Sequence, residues 1–254
     1  MTAANVDKKH ILITGGGSGI GEAAAKLLAA RGATVGVADI NTENADKVVA
    51  QISADGHDAY SLTVDVSDKA QVEQMYQSAV SKAGVINVVI NNAGVDHIPA
   101  PMHEVDDQAY MKNIAVNLNG VWFSMKNAIG HMLQNSGGHI INVASVAGLR
   151  SAPSVSAYSA TKHAVVGLTK SAAVEYARAN IRVNAVCPSF IDTPMVQGVL
   201  KHLPEKQQRG IIGANPMKRL GTVDEVAGAI AWLCSDESTF VTGQSMVLDG
   251  GMLA

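Results

Sequence analysis

The feature of this sequence that most constrains its fold is a series of short, unbroken aliphatic runs separated by helical stretches. Strands buried on both faces show continuous Val, Ile and Leu runs, whereas strands with one solvated face alternate in polarity. A repeated strand-then-helix order favours right-handed crossovers between parallel strands. The pattern therefore predicts an α/β protein with a doubly wound, seven-stranded parallel sheet and helices on both faces.

The predicted elements follow from these runs. Seven strands are predicted, at Ile11–Thr14, Thr34–Ala38, Ala59–Val64, Val85–Asn91, His139–Val143, Arg182–Val186 and Ser245–Leu248. A first helix carries Ile20, Ala24, Leu27 and Leu28 on one face, and others are predicted over Thr42–Ala54, Lys69–Lys82, Asp107–Gln134, Ser156–Ala179 and Val223–Leu233. Because no linker interrupts the pattern, we expect a single domain over residues 1–254.

One stretch breaks this order. Pro188–Pro216 follows a predicted strand and contains four prolines and several apolar residues. Binding loops of α/β proteins lie at the carboxyl ends of their strands. We therefore predict an irregular substrate lid at about residues 189–216, with a plain surface excursion as the alternative.

Composition and charge restrict the possible partners. Hydrophobic residues make up 47% of the chain, enough for a sizeable core, and the formal net charge of −3 comes without a basic block. Nucleic acid is therefore not an expected partner. The two cysteines stand in apolar contexts and the eight histidines show no metal-ligand spacing, so no metal is expected. The polar N-terminus and the lack of a long apolar run predict no signal peptide, no membrane span and a cytoplasmic location.

A glycine cluster follows the first predicted strand and opens the first predicted helix, with the sequence TGGGSGIG from Thr14 to Gly21. Glycines let the backbone turn tightly against a pyrophosphate, and the helix start supplies unpaired N–H groups and the positive end of the dipole. In a parallel-sheet pattern this cluster predicts a dinucleotide site of a Rossmann fold. The cofactor-binding residues predicted here are Gly15, Ser18, Gly19, Ile20 and Gly21.

The acidic residue at the end of the second predicted strand, Asp39, indicates which dinucleotide binds. Its carboxylate can accept hydrogen bonds from the adenosine ribose hydroxyls and would repel the additional phosphate of NADP. The segment from Gly15 to Gly21 contains no Arg or Lys to receive that phosphate. Capping of the next helix is the alternative role, but Asn41 or Thr42 is better placed for it. We therefore predict NAD as the cofactor.

A tyrosine and a lysine lie four residues apart in a predicted helix, at Tyr158 and Lys162. This spacing puts both side chains on one face, where an ammonium and an oxidised nicotinamide ring would lower the phenol pKa from about 10. Taken alone, such a pair is more often an amphipathic surface pair. Ser145 follows a predicted strand at the edge where ligands bind. Its hydroxyl could stabilise a developing alkoxide, with a turn or cap role as the alternative.

Five motifs occur in a fixed order along the chain: Thr14-Gly15-xxx-Gly19-Ile20-Gly21, Asn91-Asn92-Ala93-Gly94, Asn117, Ser145 and Tyr158-xxx-Lys162. With these motifs the sequence resembles the short-chain dehydrogenase/reductase family over essentially its whole length. The resemblance implies an NAD(H)-dependent oxidoreductase that interconverts a secondary alcohol and a ketone by hydride transfer. It implies Tyr158 as the acid/base and Ser145 as the group that polarises the substrate oxygen. Lys162 would hold the nicotinamide ribose and lower the tyrosine pKa, and Asn117 would anchor a relay water.

The resemblance also implies cofactor contacts and an assembly. Further cofactor contacts are implied for Asp65, Val66, Asn91, Gly94, Ile191 and Thr193. Pairing of the helices predicted over Asp107–Gln134 and Ser156–Ala179, completed by the C-terminal segment, implies a homotetramer. Two positions depart from the family pattern: Ser189 stands where many relatives have Gly, and Asn180 stands where many have Gly before IRVN. Serine could reshape the pocket, whereas asparagine tolerates the left-handed conformation that a helix end needs.

Residues near Ser145 and in the predicted lid give the first indication of the substrate. The predicted pocket residues are Ser145, Val146, Ala147, His97, Phe190 and Met195, although packing explains each apolar one equally well and a solvent-facing position is favoured for His97. Because most are apolar and no Arg or Lys is close by, we expect a neutral, hydrophobic alcohol or ketone. Two alternatives stay open. A 3-oxoacyl-thioester reductase often prefers NADPH and needs a basic patch, and a non-catalytic NAD-binding sensor would have a degraded catalytic set.

Overall fold

The computed structural model describes residues 5–201 and 203–254, so residues 1–4 of the predicted domain and position 202 of the predicted lid lie outside the described part. A seven-stranded parallel sheet runs through the centre of the molecule in the order β3-β2-β1-β4-β5-β6-β7. Its strands are β1 (His10–Thr14), β2 (Thr34–Asp39), β3 (Ala59–Thr63), β4 (Val88–Asn91), β5 (Gly138–Val143), β6 (Ile181–Pro188) and β7 (Ser245–Leu248). The predicted doubly wound fold is confirmed.

Helices cover both faces of this sheet. The described α-helices are α1 (Gly19–Ala30), α2 (Thr42–Ala54), α3 (Lys69–Ala83), α4 (Asp107–Asn113), α5 (Val121–Gln134), α6 (Ser156–Tyr176), α7 (Pro194–Leu200), α8 (Glu205–Ile212) and α9 (Val223–Cys234). Residues of α1, α2 and α9 form one buried cluster with one side of the strands, and residues of α3, α5 and α6 form another with the opposite side. The aliphatic strands are thus enclosed on both faces, as their unbroken apolar runs require.

The helix predicted over Asp107–Gln134 has the predicted bounds, but the expectation of a regular α-helix throughout is wrong. α4 ends at Asn113, the stretch Ile114–Gly120 has π-helical hydrogen bonding, and α5 begins at Val121. Two polar side chains of this region, Asn113 and Asn117, point inward and are almost fully buried. A π turn of this kind changes the direction in which side chains leave a helix and is frequent at functional sites.

The prediction that Pro188–Pro216 is irregular is also wrong, because this stretch contains α7 and α8. Pro194 stands in the first turn of α7, directly after Thr193, whose side chain accepts a hydrogen bond from the Val196 N–H. Pro204 directly precedes α8. Proline is tolerated at a helix start because the N–H it lacks would have no intrahelical partner there. These prolines therefore mark where helices begin.

Smaller differences concern the ends of elements. β4 begins at Val88 and not at Val85, and Val85 is exposed. The expected left-handed residue after α6 is confirmed, since Asn180 has φ 58° and ψ 30°. Asn41 caps α2 by accepting from the Asn44 N–H at 3.0 Å, as expected from its position.

The strand order reverses between β1 and β4, which lie side by side at the middle of the sheet. Loops that leave two such strands diverge to opposite faces, and a crevice opens between them at the carboxyl ends. The fold therefore directs a ligand to the loops after β1, β4 and β5. Within residues 5–201 and 203–254, no helix combines the length and apolar character needed to cross a bilayer.

A buried histidine in β5 predicts loss of stability in mild acid. His139 is 3% exposed, its Nδ1 donates to the Leu233 carbonyl at 3.0 Å, and its Nε2 accepts from the Asn184 amide at 2.9 Å. Burial, and then the nearby Arg182, lower the pKa of His139 well below its ordinary value of 6.5. The unfolded chain therefore takes up a proton as the pH falls through 6.5 while the folded chain does not. This histidine should cost about 1.4 kcal/mol of stability per pH unit below that point, until its folded pKa is reached.

Urea unfolding at several values between about pH 7 and about pH 5 would measure this loss. His139→Gln keeps one donor and one acceptor and should show a shallower decline than the wild type. Burial also lowers the pKa values of His10 and His131. These two residues should account for the decline in unfolding free energy that remains in the variant. The matched control is His103→Gln, at an exposed position, which should leave the slope unchanged. Equal slopes for His139→Gln and the wild type would show that His139 is not responsible.

Candidate active site

A cleft of about 600 Å³ lies at the carboxyl ends of the central strands. It gathers segments that are far apart in sequence, because each of them follows one of the parallel strands. The predicted site residues that line it are Gly15, Ser18, Gly19, Ile20, Asp39, Asp65, Val66, Gly94, Ser145, Tyr158, Lys162, Ile191, Thr193 and Met195. The cleft thus joins the predicted cofactor residues to three of the four predicted catalytic residues.

The glycine loop has the shape that a dinucleotide site requires. Gly19 begins α1 with a φ of 56°, a left-handed conformation that glycine adopts without strain. A Cβ at Gly21 would stand 2.1 Å from the Gly15 carbonyl oxygen, so the loop can close only on glycine there. The Ser18 side chain caps none of the described N–H groups of the first turn of α1. This turn therefore offers N–H donors and the positive end of the helix dipole to an anion such as a pyrophosphate.

Asp39 lies at the end of β2 and lines the far end of the cleft. One carboxylate oxygen accepts from the Gly17 N–H at 2.9 Å, and the other accepts from the Asn41 N–H at 2.9 Å. The residue therefore holds the glycine loop as well as presenting negative charge to the cleft. Each oxygen has a further lone pair, so the carboxylate can still accept from ribose hydroxyls.

Two predicted cofactor residues do not reach the cleft. Gly21 lies behind it, against the Gly15 carbonyl, and Asn91 is buried in the sheet. The Asn91 amide donates to Asn142 at 2.8 Å, and its oxygen accepts from the Ser124 hydroxyl at 2.5 Å. The side chain of Asn91 therefore holds β4 to β5 and α5, and the cofactor contact implied for this residue stays a prediction. Asp65, after β3, does line the cleft, and its Oδ1 accepts from the N–H and the hydroxyl of Ser67.

Tyr158 and Lys162 lie on one face of α6 and both line the cleft, as their spacing predicts. The Lys162 Nζ is 5.5 Å from the centre of the Tyr158 ring and donates to the Val143 carbonyl at 2.8 Å. Lys162 itself is only 4% exposed. Burying an ammonium is costly unless it is paired or hydrogen-bonded, as Lys162 is to the carbonyl at the end of β5. Buried charges of this kind cluster at functional sites.

The pKa values of this pair differ from the simple expectation. Burial raises the pKa of the Tyr158 phenol well above its ordinary value of 10, the charge of Asp96 raises it further, and Ser145 opposes the rise. Burial also lowers the pKa of Lys162 to about 8. Loss of solvation dominates the shift of Tyr158, so the lowering of its pKa by Lys162 together with an oxidised nicotinamide stays a prediction.

Ser145 stands directly after β5 and lines the cleft beside Tyr158. Its Oγ accepts from the Ala147 N–H at 3.1 Å, which caps a short turn, and its hydroxyl points to the Pro188 carbonyl at 3.5 Å. The geometry of Ser145 is compatible with both the cap role and the catalytic role. The long contact to Pro188 leaves the hydroxyl proton available to a stronger acceptor.

Asn117 is fully buried and does not line the cleft. Its amide donates to the Val95 carbonyl at 2.8 Å, and its oxygen accepts from the Val95 N–H at 2.8 Å. The same amide nitrogen lies 3.4 Å from the hydroxyl of Thr161 in α6. Asn117 therefore joins Val95, which lines the cleft, to the helix that carries Tyr158. The inward position of the Asn117 side chain depends on the π turn.

The predicted substrate residues divide into two groups. Ser145 and Met195 line the cleft, whereas Val146, Ala147, His97 and Phe190 are not among its lining residues. Ala147 is buried below the short turn after Ser145. The expectation of a solvent-facing His97 is wrong, since it is 8% exposed and its Nδ1 donates to the Ile98 carbonyl at 2.8 Å. Proximity in sequence to Ser145 does not show which side of the chain faces the cleft.

Several cleft residues escaped the sequence analysis. Val95, Lys112 and Val116 line the cleft. Asp96 lies directly after Val95, and its charge raises the pKa values of Tyr158 and Lys162. Asp96 had a usable signal, namely a carboxylate in the loop after a central strand. Lys112 had none, because the helix that carries it was expected to continue without interruption.

Comparison with known proteins assigns this site to a family. A family model described as "Enoyl-(Acyl carrier protein) reductase" matches residues 15–253, and relatives align over nearly the whole chain. The chain belongs to the short-chain dehydrogenase/reductase family. The resemblance seen in its motifs is thereby confirmed, and its relatives are oxidoreductases of alcohol and ketone type.

Three curated relatives of this short-chain dehydrogenase/reductase are similar along its length. Levodione reductase of Leifsonia aquatica is 39% identical, over 96% of this chain and 94% of the relative. Cis-4-hydroxycyclohexanecarboxylate dehydrogenase of Sinomonas cyclohexanicum is 41% identical, over 96% of each. Cyclohexanol dehydrogenase of an Acinetobacter species is 40% identical, over 96% and 94%. A crystal structure of 3-ketoacyl-(acyl-carrier-protein) reductase from Brucella melitensis complexed with NADH has a TM-score of 0.91 and 34% identity, over 98% and 100%.

Proposed function

We propose that this chain is an NAD(H)-dependent oxidoreductase that interconverts a secondary alcohol and a neutral, hydrophobic ketone. The observation that carries the proposal is one cleft in which Asp39 and the glycine loop stand at one end and Ser145, Tyr158 and Lys162 at the other. A dinucleotide with an unmodified adenosine ribose fits this end of the cleft. The glycines there leave no room for a Cβ, the start of the helix has free N–H groups, and the carboxylate has no arginine nearby in sequence. Gly15, Ser18, Gly19, Ile20, Asp39, Asp65, Val66, Gly94, Ile191 and Thr193 would hold it.

The chemistry follows from the groups at the other end of the cleft. A bound nicotinamide supplies the carbon that accepts or gives the hydride. During reduction, Tyr158 gives its hydroxyl proton to the substrate oxygen, and the Ser145 hydroxyl donates a second hydrogen bond that stabilises the developing negative charge. During oxidation, the Tyr158 phenolate takes the proton back. Lys162 stands where its ammonium can bind ribose hydroxyls and stabilise the phenolate.

Two alternative functions gain less support. The similarity to the ketoacyl reductase favours a 3-oxoacyl-thioester reductase. However, Lys112 and Lys162 are the cations among the cleft-lining residues, and they form no patch for an acidic carrier. A non-catalytic NAD-binding sensor would not need a buried lysine beside a tyrosine and a serine. The complete catalytic set favours an enzyme.

The test is a measurement of NADH and NADPH absorbance during incubation with a panel of cyclic ketones and, in the opposite direction, with their alcohols and NAD or NADP. We expect reduction of cyclohexanone-type ketones with NADH and weaker reduction with NADPH. An acetoacetyl thioester tests the reductase alternative in the same assay. Tight NADH binding without turnover of any compound would favour the sensor.

Three further properties are part of the proposal. Residues at about 189–216 act as a substrate lid, supported by the presence of Ile191, Thr193, Met195 and Val196 in the cleft wall. The chain forms a homotetramer, supported by the exposed Met111, Trp122 and Val174 on α4, α5 and α6, and sedimentation velocity would measure this. The enzyme resides in the cytoplasm, supported by two free, buried thiols, Cys187 and Cys234, and cell fractionation would test it.

A further inference from the structure

The backbone hydrogen bonding of β6 continues for one residue beyond the end of the strand, into Ser189. The Ala185 N–H donates to the Gln244 carbonyl at 2.8 Å, and four residues further along, the Ser189 N–H donates to the Leu248 carbonyl at 3.0 Å. Because side chains alternate between the two faces of a sheet, Ser189 points to the same face as Ala185 and Cys187. Those two residues belong to the buried cluster that includes α6. The Ser189 side chain is therefore directed to the side of the sheet on which α6 lies.

Ser189 lies beside the two residues that would hold the reacting oxygen. The carbonyl of the preceding residue, Pro188, is 3.5 Å from the Ser145 Oγ. The helix toward which Ser189 points, α6, carries Tyr158. Ser145, Tyr158 and Ser189 all line the same cleft. Ser189 is thus placed at the substrate end of the cleft, close to where the reacting carbon would lie.

The Ser189 hydroxyl is free to bind a ligand. The residue is half-buried, and its hydroxyl takes part in none of the hydrogen bonds found within the part of the chain that the structure describes. Other polar groups of the cleft are engaged, since the Thr193 side chain caps α7 and the Lys162 Nζ donates to the Val143 carbonyl. A hydroxyl that loses solvent without a protein partner is best satisfied by a polar group of the bound molecule.

We propose that Ser189 binds a second oxygen of the substrate, on the carbon next to the reacting carbonyl, so that the enzyme prefers 2-hydroxy ketones and the corresponding vicinal diols. Ser145 and Ser189 follow the neighbouring strands β5 and β6, and neighbouring strands are only about 4.8 Å apart. Hydroxyls at such a spacing suit two oxygens on adjacent carbons. A serine hydroxyl both donates and accepts, so it pairs with a hydroxyl of the substrate. This inference rests on the proposed function, because it names the class of ketone that the cleft binds.

The experiment compares two ketones of similar shape, 2-hydroxycyclohexanone and 2-methylcyclohexanone, with NADH as the reductant. Because the hydroxyl alters the reactivity of the ketone by itself, the quantity that decides is the change that a variant makes in the ratio of the two kcat/KM values. Ser189→Ala removes only the hydroxyl and should lower the hydroxy-to-methyl ratio about fivefold, as is usual for one lost hydrogen bond between neutral groups. Ser189→Gly also lacks the hydroxyl and should lower the ratio to a similar extent.

The matched control is Ser61→Ala, which removes a hydroxyl from the edge strand β3 at a residue that does not line the cleft. It should leave the hydroxy-to-methyl ratio unchanged. An unchanged ratio in folded Ser189→Ala would overturn the proposal. An equal fall of kcat/KM for both ketones would also overturn it, because the hydroxyl would then serve the cofactor.

If neither ketone is reduced, the proposed function fails for this substrate class. Calorimetric titration of both ketones into the enzyme–NADH complex then still decides the role of Ser189. The hydroxy ketone should bind about fivefold more weakly to Ser189→Ala than to the wild type, whereas the affinity for the methyl ketone should change much less. Equal affinities of the wild type and the variant for the hydroxy ketone would overturn the proposal.

Discussion

Replacement of Tyr158 by phenylalanine is expected to lower kcat for ketone reduction by about 10³-fold, within the range typical of a lost general acid. The ring remains and continues to fill its place above the Lys162 Nζ, 5.5 Å away, so the affinity for NADH should stay within about twofold of the wild type. Steady-state turnover and NADH fluorescence titration on the same preparation measure the two quantities separately.

The matched control is Tyr76→Phe, which removes a buried hydroxyl from a tyrosine far from the cleft. The Tyr76 hydroxyl donates to the Ser124 carbonyl at 3.0 Å, so its loss should cost about 1 kcal/mol of stability and leave kcat unchanged. Near-normal turnover of Tyr158→Phe would remove the proposed acid/base from the mechanism. The proposed role would also fail if kcat fell in both variants in proportion to their loss of unfolding free energy.

Asp39→Asn is expected to weaken the preference for NADH over NADPH by about 30-fold. In the proposed binding mode, the wild-type carboxylate lies where the additional phosphate of NADPH would approach, and repulsion of this kind is worth about 2 kcal/mol across a partly solvated gap. Asparagine retains one acceptor for the Gly17 N–H, a bond of 2.9 Å in the wild type, so the glycine loop should keep its shape. The ratio of kcat/KM for the two cofactors is the measurement.

Asp65→Asn serves as the control for this variant, since Asp65 lines the same end of the cleft but makes its hydrogen bonds to Ser67. It should change the constants for NADH and NADPH by similar factors and leave their ratio near that of the wild type. A wild-type enzyme that uses NADPH better than NADH would contradict the assigned role of Asp39.

The fold was predictable from the sequence because its strands are buried on both faces. A run such as that of β1, with every residue buried, leaves few alternatives to a covered parallel sheet. The boundaries were less accessible, since they depend on the burial of single residues, such as the exposed Val85 that lies before β4. The helices after Thr193 and Pro204 were missed because proline signals both a helix start and an irregular loop.

The site was predictable where a residue acts at a strand end or by helical spacing, as for Asp39, Ser145 and the Tyr158–Lys162 pair. It was not predictable where the role depends on which side of a loop faces inward. Asn91 and Asn117 carry family motifs, yet the structure engages the side chain of each with the protein itself. Phe190, expected in the pocket, instead offers its carbonyl to the Gly221 N–H at 3.0 Å.

The π-helical stretch between α4 and α5 limits how the chain can vary in length. A π turn holds more residues than an α turn, so removing one residue from Ile114–Gly120 would let the two helices fuse into a regular rod. The side chains within this stretch would then leave the helix in other directions, whereas α4 and α5 would nearly keep their relative orientation. The buried side of α5, with Val121, Met125 and Ala128, could stay in the core, but Asn117 would be turned away from Val95. Single-residue deletions should therefore be tolerated far less here than in the connection between α7 and α8.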